Sequence, residues 1–128
     1  MSIDQMTKQE NFSHAATVLA VKNARKSIEF YTQKLGFQLS FSRSDPPTYA
    51  ALVRGGVSVH LTERDDDRVP STSHCVLYIF VYDVDEIFQQ CKKAGVNISN
   101  EPTDRDYKMK DFDIKDPDGH IISIGKGG

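Results

Sequence analysis

The sequence predicts an α+β fold made of two tandem βαβββ modules, and three observations carry that expectation. A short apolar run, a helix-capping residue, an amphipathic stretch and a glycine follow one another twice in the same order. Each unit then continues into alternating strands, the last of them launched from a tight turn: Arg54-Gly55-Gly56 in the first, Asp116-Pro117-Asp118-Gly119 in the second. The length of 128 residues suits one compact domain, or two half-domains around a shared core, without disulfide staples.

The first unit opens with Ala15 to Val21, AATVLAV, whose small and branched residues suit a buried strand. Asn23 caps a helix whose apolar positions Ala24, Ile28, Tyr31 and Leu35 recur at helical spacing, and Gly36 supplies the stop. Strands FQLSFSR from Phe37, TYAALVR from Thr48 after the Pro46-Pro47 break, and VSVHLTE from Val57 complete it.

The second unit repeats the plan. HCVLYIFV from His74 reads as a strand, and Asp83 with Glu86 three residues on has the spacing of a capping box. Val84, Ile87, Phe88 and Cys91 form the apolar stripe of the helix, Gly95 ends it, and VNIS, YKMKDFDIKD and HIISIG give three further strands. Setting Val21 against Val81 aligns the caps Asn23 and Asp83 and, with one deletion, the stops Gly36 and Gly95. The turns align too, so that His60 follows Gly56 by four residues as Ser123 follows Gly119. Residues 1–13 then read as a flexible leader, 14–63 as the first module, 64–73 as a linker and 74–125 as the second, in one domain spanning 14–128.

Composition narrows the function classes. A net charge of −2 lacks the basic face that phosphate backbones require, so nucleic acid is not an expected partner. The polar N-terminal decapeptide has no apolar core of the kind a secretory signal carries, and no stretch is apolar enough to span a bilayer. Cys75 and Cys91 sit in apolar patterns without zinc or redox spacing, as small hydrophobes in a reducing compartment would. The expectation is a cytoplasmic protein. The run Asp65-Asp66-Asp67, flanked by Arg64 and Arg68, reads as a solvated loop and lacks the glycine bend of a calcium loop.

Period-two alternation sorts side chains onto two faces. With a helix covering one face of each sheet, Leu19, Val21, Leu77, Ile79 and Val81 lie beneath it. The other faces, set side by side, form a trough that receives His14, Ala16, Val18, His74, Val76, Tyr78, Phe80, Ser58, His60, Thr62, Ile121 and Ser123. Tyr107, Met109 and Asp111 form a same-face set, with Phe112 and Ile114 turned to the core. Phe41, Tyr49 and Tyr78 are candidate trough walls, with ordinary core packing as the alternative for Phe41 and Tyr49. Asp111 either contacts a ligand or pairs with Lys110 or Arg105 in a solvated ladder.

In this order and with these gaps, VLAVKNARKSIEFYTQKLGF, YAALVRGGVSVHLTE, VYDVDEIFQQCKKAGV and DPDGHIISIG resemble the vicinal oxygen chelate superfamily, over about residues 15–125. That superfamily includes glyoxalase I, extradiol dioxygenases, fosfomycin-resistance enzymes and bleomycin-resistance proteins. The resemblance implies paired βαβββ modules in a curved mixed sheet with a central cleft, helices on the outside, and a homodimer with the cleft near its interface. It also implies four metal-ligand positions, which fall on Ala16, His60, Val76 and Ser123. Of these only His60 carries a strong donor, whereas a catalytic divalent ion needs about three protein ligands. His14 and His74, each two residues before an emptied position, could join His60 in an atypical site or stand at the rim.

YKMKDFDIKDPDG is most similar to the W-G-M-R-E-F and D-P-D-G pattern of the bleomycin-resistance branch, with Tyr107 in place of tryptophan and Lys108 in place of glycine. The reading is therefore a metal-free protein that binds a small molecule without cofactor or catalytic residue, using His60, Tyr107, Met109, Asp111, Tyr78, Phe41 and Tyr49. His60 then serves as a polar wall residue. A metal-dependent lyase or dioxygenase is the alternative, and a purely structural module a third.

Overall fold

A computed structural model describes residues 10–64 and 74–127. Among them the chain runs β1 (Thr17–Val21), α1 (Ala24–Glu29) continued by a wider π turn (Phe30–Lys34), β2 (Gln38–Arg43), β3 (Tyr49–Arg54) and β4 (Val57–Glu63). It continues with β5 (Leu77–Phe80), α2 (Val84–Ala94), β6 (Asn97–Ile98), β7 (Thr103–Asp104), β8 (Met109–Lys115) and β9 (Ile121–Gly127). The leader's first nine residues and the linker's Asp65 to Ser73, acidic run included, lie outside the described residues.

The strands form two sheets, ordered β1-β4-β3-β2 and β5-β9-β8-β6, with β7 also on β8. In each, the first strand pairs in parallel with the last and the remaining pairs are antiparallel. The repeat in the sequence is thus a repeat in topology: an α+β fold of mixed sheets.

Local chemistry sets the element ends. Asn23 and Asp83 take extended backbone and accept from the amides of Lys26 and Glu86 at 3.0 Å, filling donors that the first helical turn leaves open. Gly36 and Gly95 stop the helices at φ of 72° and 76°, a region that costs other residues about 1 kcal/mol. Three features depart from the sequence reading. β5 is shorter than HCVLYIFV, because residues 74–76 precede the ladder. Tyr107 and Lys108 belong to the turn before β8 rather than to that strand. The strand expected at VNIS shrinks to two residues, and β7 takes over the same edge of β8.

α1 packs on β3 and β4, and α2 on β8 and β9. Leu19, Val21, Ala50, Leu52, Val59 and Leu61 of the first sheet and Phe112, Ile114, Ile122 and Ile124 of the second are buried in one continuous core. Polar bonds also join the halves inside that core. The Asp116 carboxylate opens the DPDGH turn by accepting from the amides of Asp118 (3.0 Å) and His120 (2.8 Å). Its second oxygen accepts from His120 Nδ1 (2.7 Å) and from the hydroxyl of Tyr31 in the first half (2.8 Å). Asp118 adds bonds from the Lys22 amide (3.0 Å) and the Ser27 hydroxyl (3.3 Å). Asp116, Asp118 and His120 are the only three His, Cys, Asp or Glu groups among the described residues gathered closely enough to hold an ion. Their atoms are committed to this turn and to α1.

Tyr31 is fully buried, and burial with the neighbouring Asp116 carboxylate pushes its phenol far above the ordinary range. A proton held more tightly in the folded state stabilises below the unfolded phenol value of about 10 and stops doing so as pH rises beyond it. Tyr31→Phe should therefore cost about 1–2 kcal/mol in urea melts at pH 7. The gap between wild type and variant should shrink once the pH passes about 10.

Candidate functional site

Each sheet leaves one face without a helix, and the strand register fixes what stands there. In the first sheet Phe41, Ala51, His60 and Val18 are neighbours across four strands, and Arg43, Tyr49, Thr62 and Ala20 form the next row. Tyr49 and His60 share a 2.7 Å hydrogen bond between the phenol and Nδ1, their rings edge-to-face at 5.7 Å. The guanidinium of Arg43 lies 5.4 Å from the Tyr49 ring centre. Val18 and Phe41 remain 56% and 51% exposed, so apolar side chains stand open beside the polar pair of Tyr49 and His60.

The open face of the second sheet is organised by Asp111. Its side chain is buried, yet it lies on the face opposite Phe112 and Ile114. Oδ2 accepts from the hydroxyls of Tyr78 (2.9 Å) and Tyr107 (2.6 Å), and Oδ1 from Arg105 Nε (2.7 Å). Tyr78 reaches Asp111 by crossing β9 at Gly125, where a methyl group would collide with the Tyr78 hydroxyl and approach the Asp111 Cβ to 2.7 Å. Glycine is needed here for space, not for an unusual φ. Tyr107 comes from the turn Arg105 to Lys108, closed by the Arg105 amide on the Met109 carbonyl (2.8 Å) and the Lys108 amide on the Arg105 carbonyl (3.1 Å). Lys108 has φ of 60°, where lysine costs about 1 kcal/mol more than glycine.

Burial alone would raise the Asp111 carboxyl, but the bonds from Tyr107, Arg105 and Tyr78 more than offset it and hold it below the ordinary carboxylate range. The same contacts, with burial first for Tyr78 and the hydrogen bond first for Tyr107, raise both phenols. The site is a preset carboxylate that fixes two aromatic rings.

The structure gathers Tyr78, Tyr107 and Asp111 in one cluster, with half-buried Met109 beside them on β8, and His60, Tyr49 and Phe41 on the other sheet. Of the two pairings open for Asp111 it takes Arg105, while Lys110 turns to Asp85 at 3.3 Å. The aromatic Phe80, 73% exposed, lies against Tyr78 with ring centres 4.9 Å apart and planes tilted by 44°. Arg105 and Gly125 are the residues of the cluster that alternation did not single out.

The chemistry of the metal positions does not fit an ion. His60 Nδ1 is held by Tyr49, and Ser123 donates its hydroxyl to Asp113 at 2.6 Å. The residues paired with His60 and Ser123 are Val18 and Tyr78, each two positions beyond Ala16 and Val76. Ala16, Val18 and Val76 offer no donor atom, and the Tyr78 hydroxyl is spent on Asp111. His14 bonds Ser13 at 2.8 Å in an exposed segment, His74 is exposed ahead of β5, and His14, His60 and His74 do not form a cluster of ligand atoms.

The profile of the Glyoxalase/Bleomycin resistance protein/Dioxygenase superfamily matches residues 11–124. The chain belongs to that superfamily. A bleomycin resistance protein of Geobacillus stearothermophilus is 30% identical over 124 residues, covering 83% of this chain and 90% of the relative. The fold is shared with a bleomycin-binding protein from bleomycin-producing Streptomyces verticillus, solved with copper(II)-bleomycin (TM-score 0.75, 19% identity, 94% of this chain and 99% of that one). It is shared also with TnmS3, an antibiotic-binding protein from Streptomyces sp. CB03234 (TM-score 0.71, 20% identity, 94% and 100%). Tyr107 and the left-handed Lys108 are two positions at which the sequence departs from the W-G-M-R-E-F pattern it resembles.

Gly125→Ala should push Tyr78 off Asp111 and cost about 1–3 kcal/mol in denaturant melts. Because the Asp111 value is depressed, its contribution is present above the unfolded carboxyl value of about 4 and fades as pH falls through the lower folded value. Asp111→Asn should be less stable at pH 7 but lose less on acidification below about pH 4, measured by urea melts at both pH values.

Proposed function

We propose that this chain is a metal-free protein that sequesters a small molecule in a cleft completed by a second copy of itself, without a reacting residue. The observation that carries the reading is the pair of open faces. At the positions where relatives hold an ion, His60 is the one strong donor, while Phe41 on the first sheet stands 51% exposed and Phe80 and Tyr107, 73% and 60% exposed, neighbour the tethered Tyr78 on the second. Exposed aromatic faces next to a few oriented polar groups suit stacking of a planar ligand. His60, with one ring nitrogen committed to Tyr49, is assigned a hydrogen-bonding role, and Met109 fills the irregular gap.

Supporting evidence comes from the relatives, one named for bleomycin resistance and two solved as antibiotic binders. The homodimer is supported by Val18, Phe41 and Phe80, large apolar side chains exposed among the described residues. Free Cys75 and Cys91 suit a reducing compartment, so we assign the protein to the cytoplasm. Among the described residues no helix is long and apolar enough to cross a membrane.

Metal-free bleomycin at a hundred times its dissociation constant should stabilise the protein by about 2.7 kcal/mol in a thermal melt. Tyr107→Ala should weaken binding roughly three- to tenfold in calorimetry. Sedimentation should return about twice the chain mass of 14.4 kDa, and elemental analysis well under one divalent ion per chain. Stoichiometric metal that disappears in His60→Ala would overturn the proposal.

A further inference from the structure

We propose that Arg105 and Lys108 form an anion-recognising end of the second open face, so that its ligand is a planar aromatic molecule bearing a carboxylate, sulfonate or phosphate. This rests on the sequestering function proposed above and adds the class of ligand. Asp111 has already taken three donors, two on Oδ2 and one on Oδ1. What the cluster still offers a ligand is ring faces and N–H groups rather than acceptors. Arg105 meets Asp111 through Nε alone, and its two terminal nitrogens have no partner among the described residues although the side chain is only 32% exposed. A guanidinium pinned at Nε presents its outer fork in a fixed plane, the geometry that a bidentate anion needs.

Lys108 stands in the same turn, directly after Tyr107 in the chain, and its ammonium has no ion-pair partner among the described residues. It occupies a left-handed position where glycine would be more comfortable, so the side chain is kept at a cost to the backbone. Net charge does not make this case, since Asp111 and the exposed Asp106 balance the two cations. Geometry does. Asp104 pairs in register with Lys110, on the face away from Asp111. Asp113, bonded to the Ser123 hydroxyl, is the remaining carboxylate on the open face and lies two residues farther along β8.

The test compares two dyes with the same rings, 8-anilinonaphthalene-1-sulfonate and its uncharged parent N-phenyl-1-naphthylamine, by fluorescence titration of the full chain. Tyr107→Ala should weaken both dyes. Lys108→Gly should raise the dissociation constant of the sulfonate about fivefold, leave the uncharged dye within twofold, and raise the melting temperature of the free protein. Arg105→Gln combined with Lys108→Gly should lose most of the preference for the sulfonate, and added salt should weaken the sulfonate alone. Equal shifts of the two dyes in Lys108→Gly, no shift in either, or binding insensitive to Tyr107→Ala would overturn the inference while leaving sequestration standing. Failure of both dyes and of bleomycin to bind would overturn sequestration, and this inference with it.

Discussion

The Asp116 carboxylate is the point on which both halves of the molecule converge. It is buried, it organises the turn that precedes β9, and it receives the hydroxyl of Tyr31 from a helix eighty-five residues earlier in the chain. A charge this enclosed is tolerable only when its lone pairs are filled, and here two backbone amides, an imidazole and a phenol fill them. The arrangement is directional, unlike the apolar contacts around it. It fixes where β9 begins, hence which residues of β9 meet β5 and β8, and hence that Gly125 falls between Tyr78 and Asp111.

Asp111 solves a different problem with the same means. Its carboxylate holds two phenols and a guanidinium on a face open to solvent, so the aromatic rings lose their rotamer freedom before any ligand arrives. Ordering a flexible aromatic side chain costs about 0.5–1.5 kcal/mol at binding, and tethering moves that cost into folding. Gly125 makes the tether short, since any side chain there would stand where Tyr78 must lie. Among the described residues no buried side-chain nitrogen or oxygen lacks a partner, which is why two enclosed carboxylates can coexist with a small core.

How much of this was legible depended on range along the chain. Asn23, Asp83, Gly36 and Gly95 act on backbone within a few residues, and the caps and stops read from them are those of the structure. Alternation correctly turned Phe112 and Ile114 inward and His60 outward, because the pleat is a local property. The joint between Tyr31, Asp116 and His120 was not legible: it spans both halves, and a core-spaced tyrosine reads as plain packing. Its one signal was the pairing of a hydroxyl-bearing core residue with a turn richer in carboxylates than the turn requires. Tyr107 was given the right neighbour for an incomplete reason, since a turn, not the pleat, brings its hydroxyl to Asp111.

The repeat also sets one polar side chain at the same point of each half. His60 and Ser123 occupy equivalent places, each beside the first strand of its half, opposite Val18 and Tyr78. In both halves the position is satisfied from within its own sheet, by Tyr49 in one and by Asp113 in the other. An entering ion would find one imidazole, bonded at Nδ1 to Tyr49, and a hydroxyl bonded to Asp113, with valine and a committed phenol alongside. The polar bonds at the centre of the open faces thus spend the Ser123 hydroxyl and the Tyr78 phenol within the fold and leave His60 as a lone strong donor, where a held divalent ion needs about three.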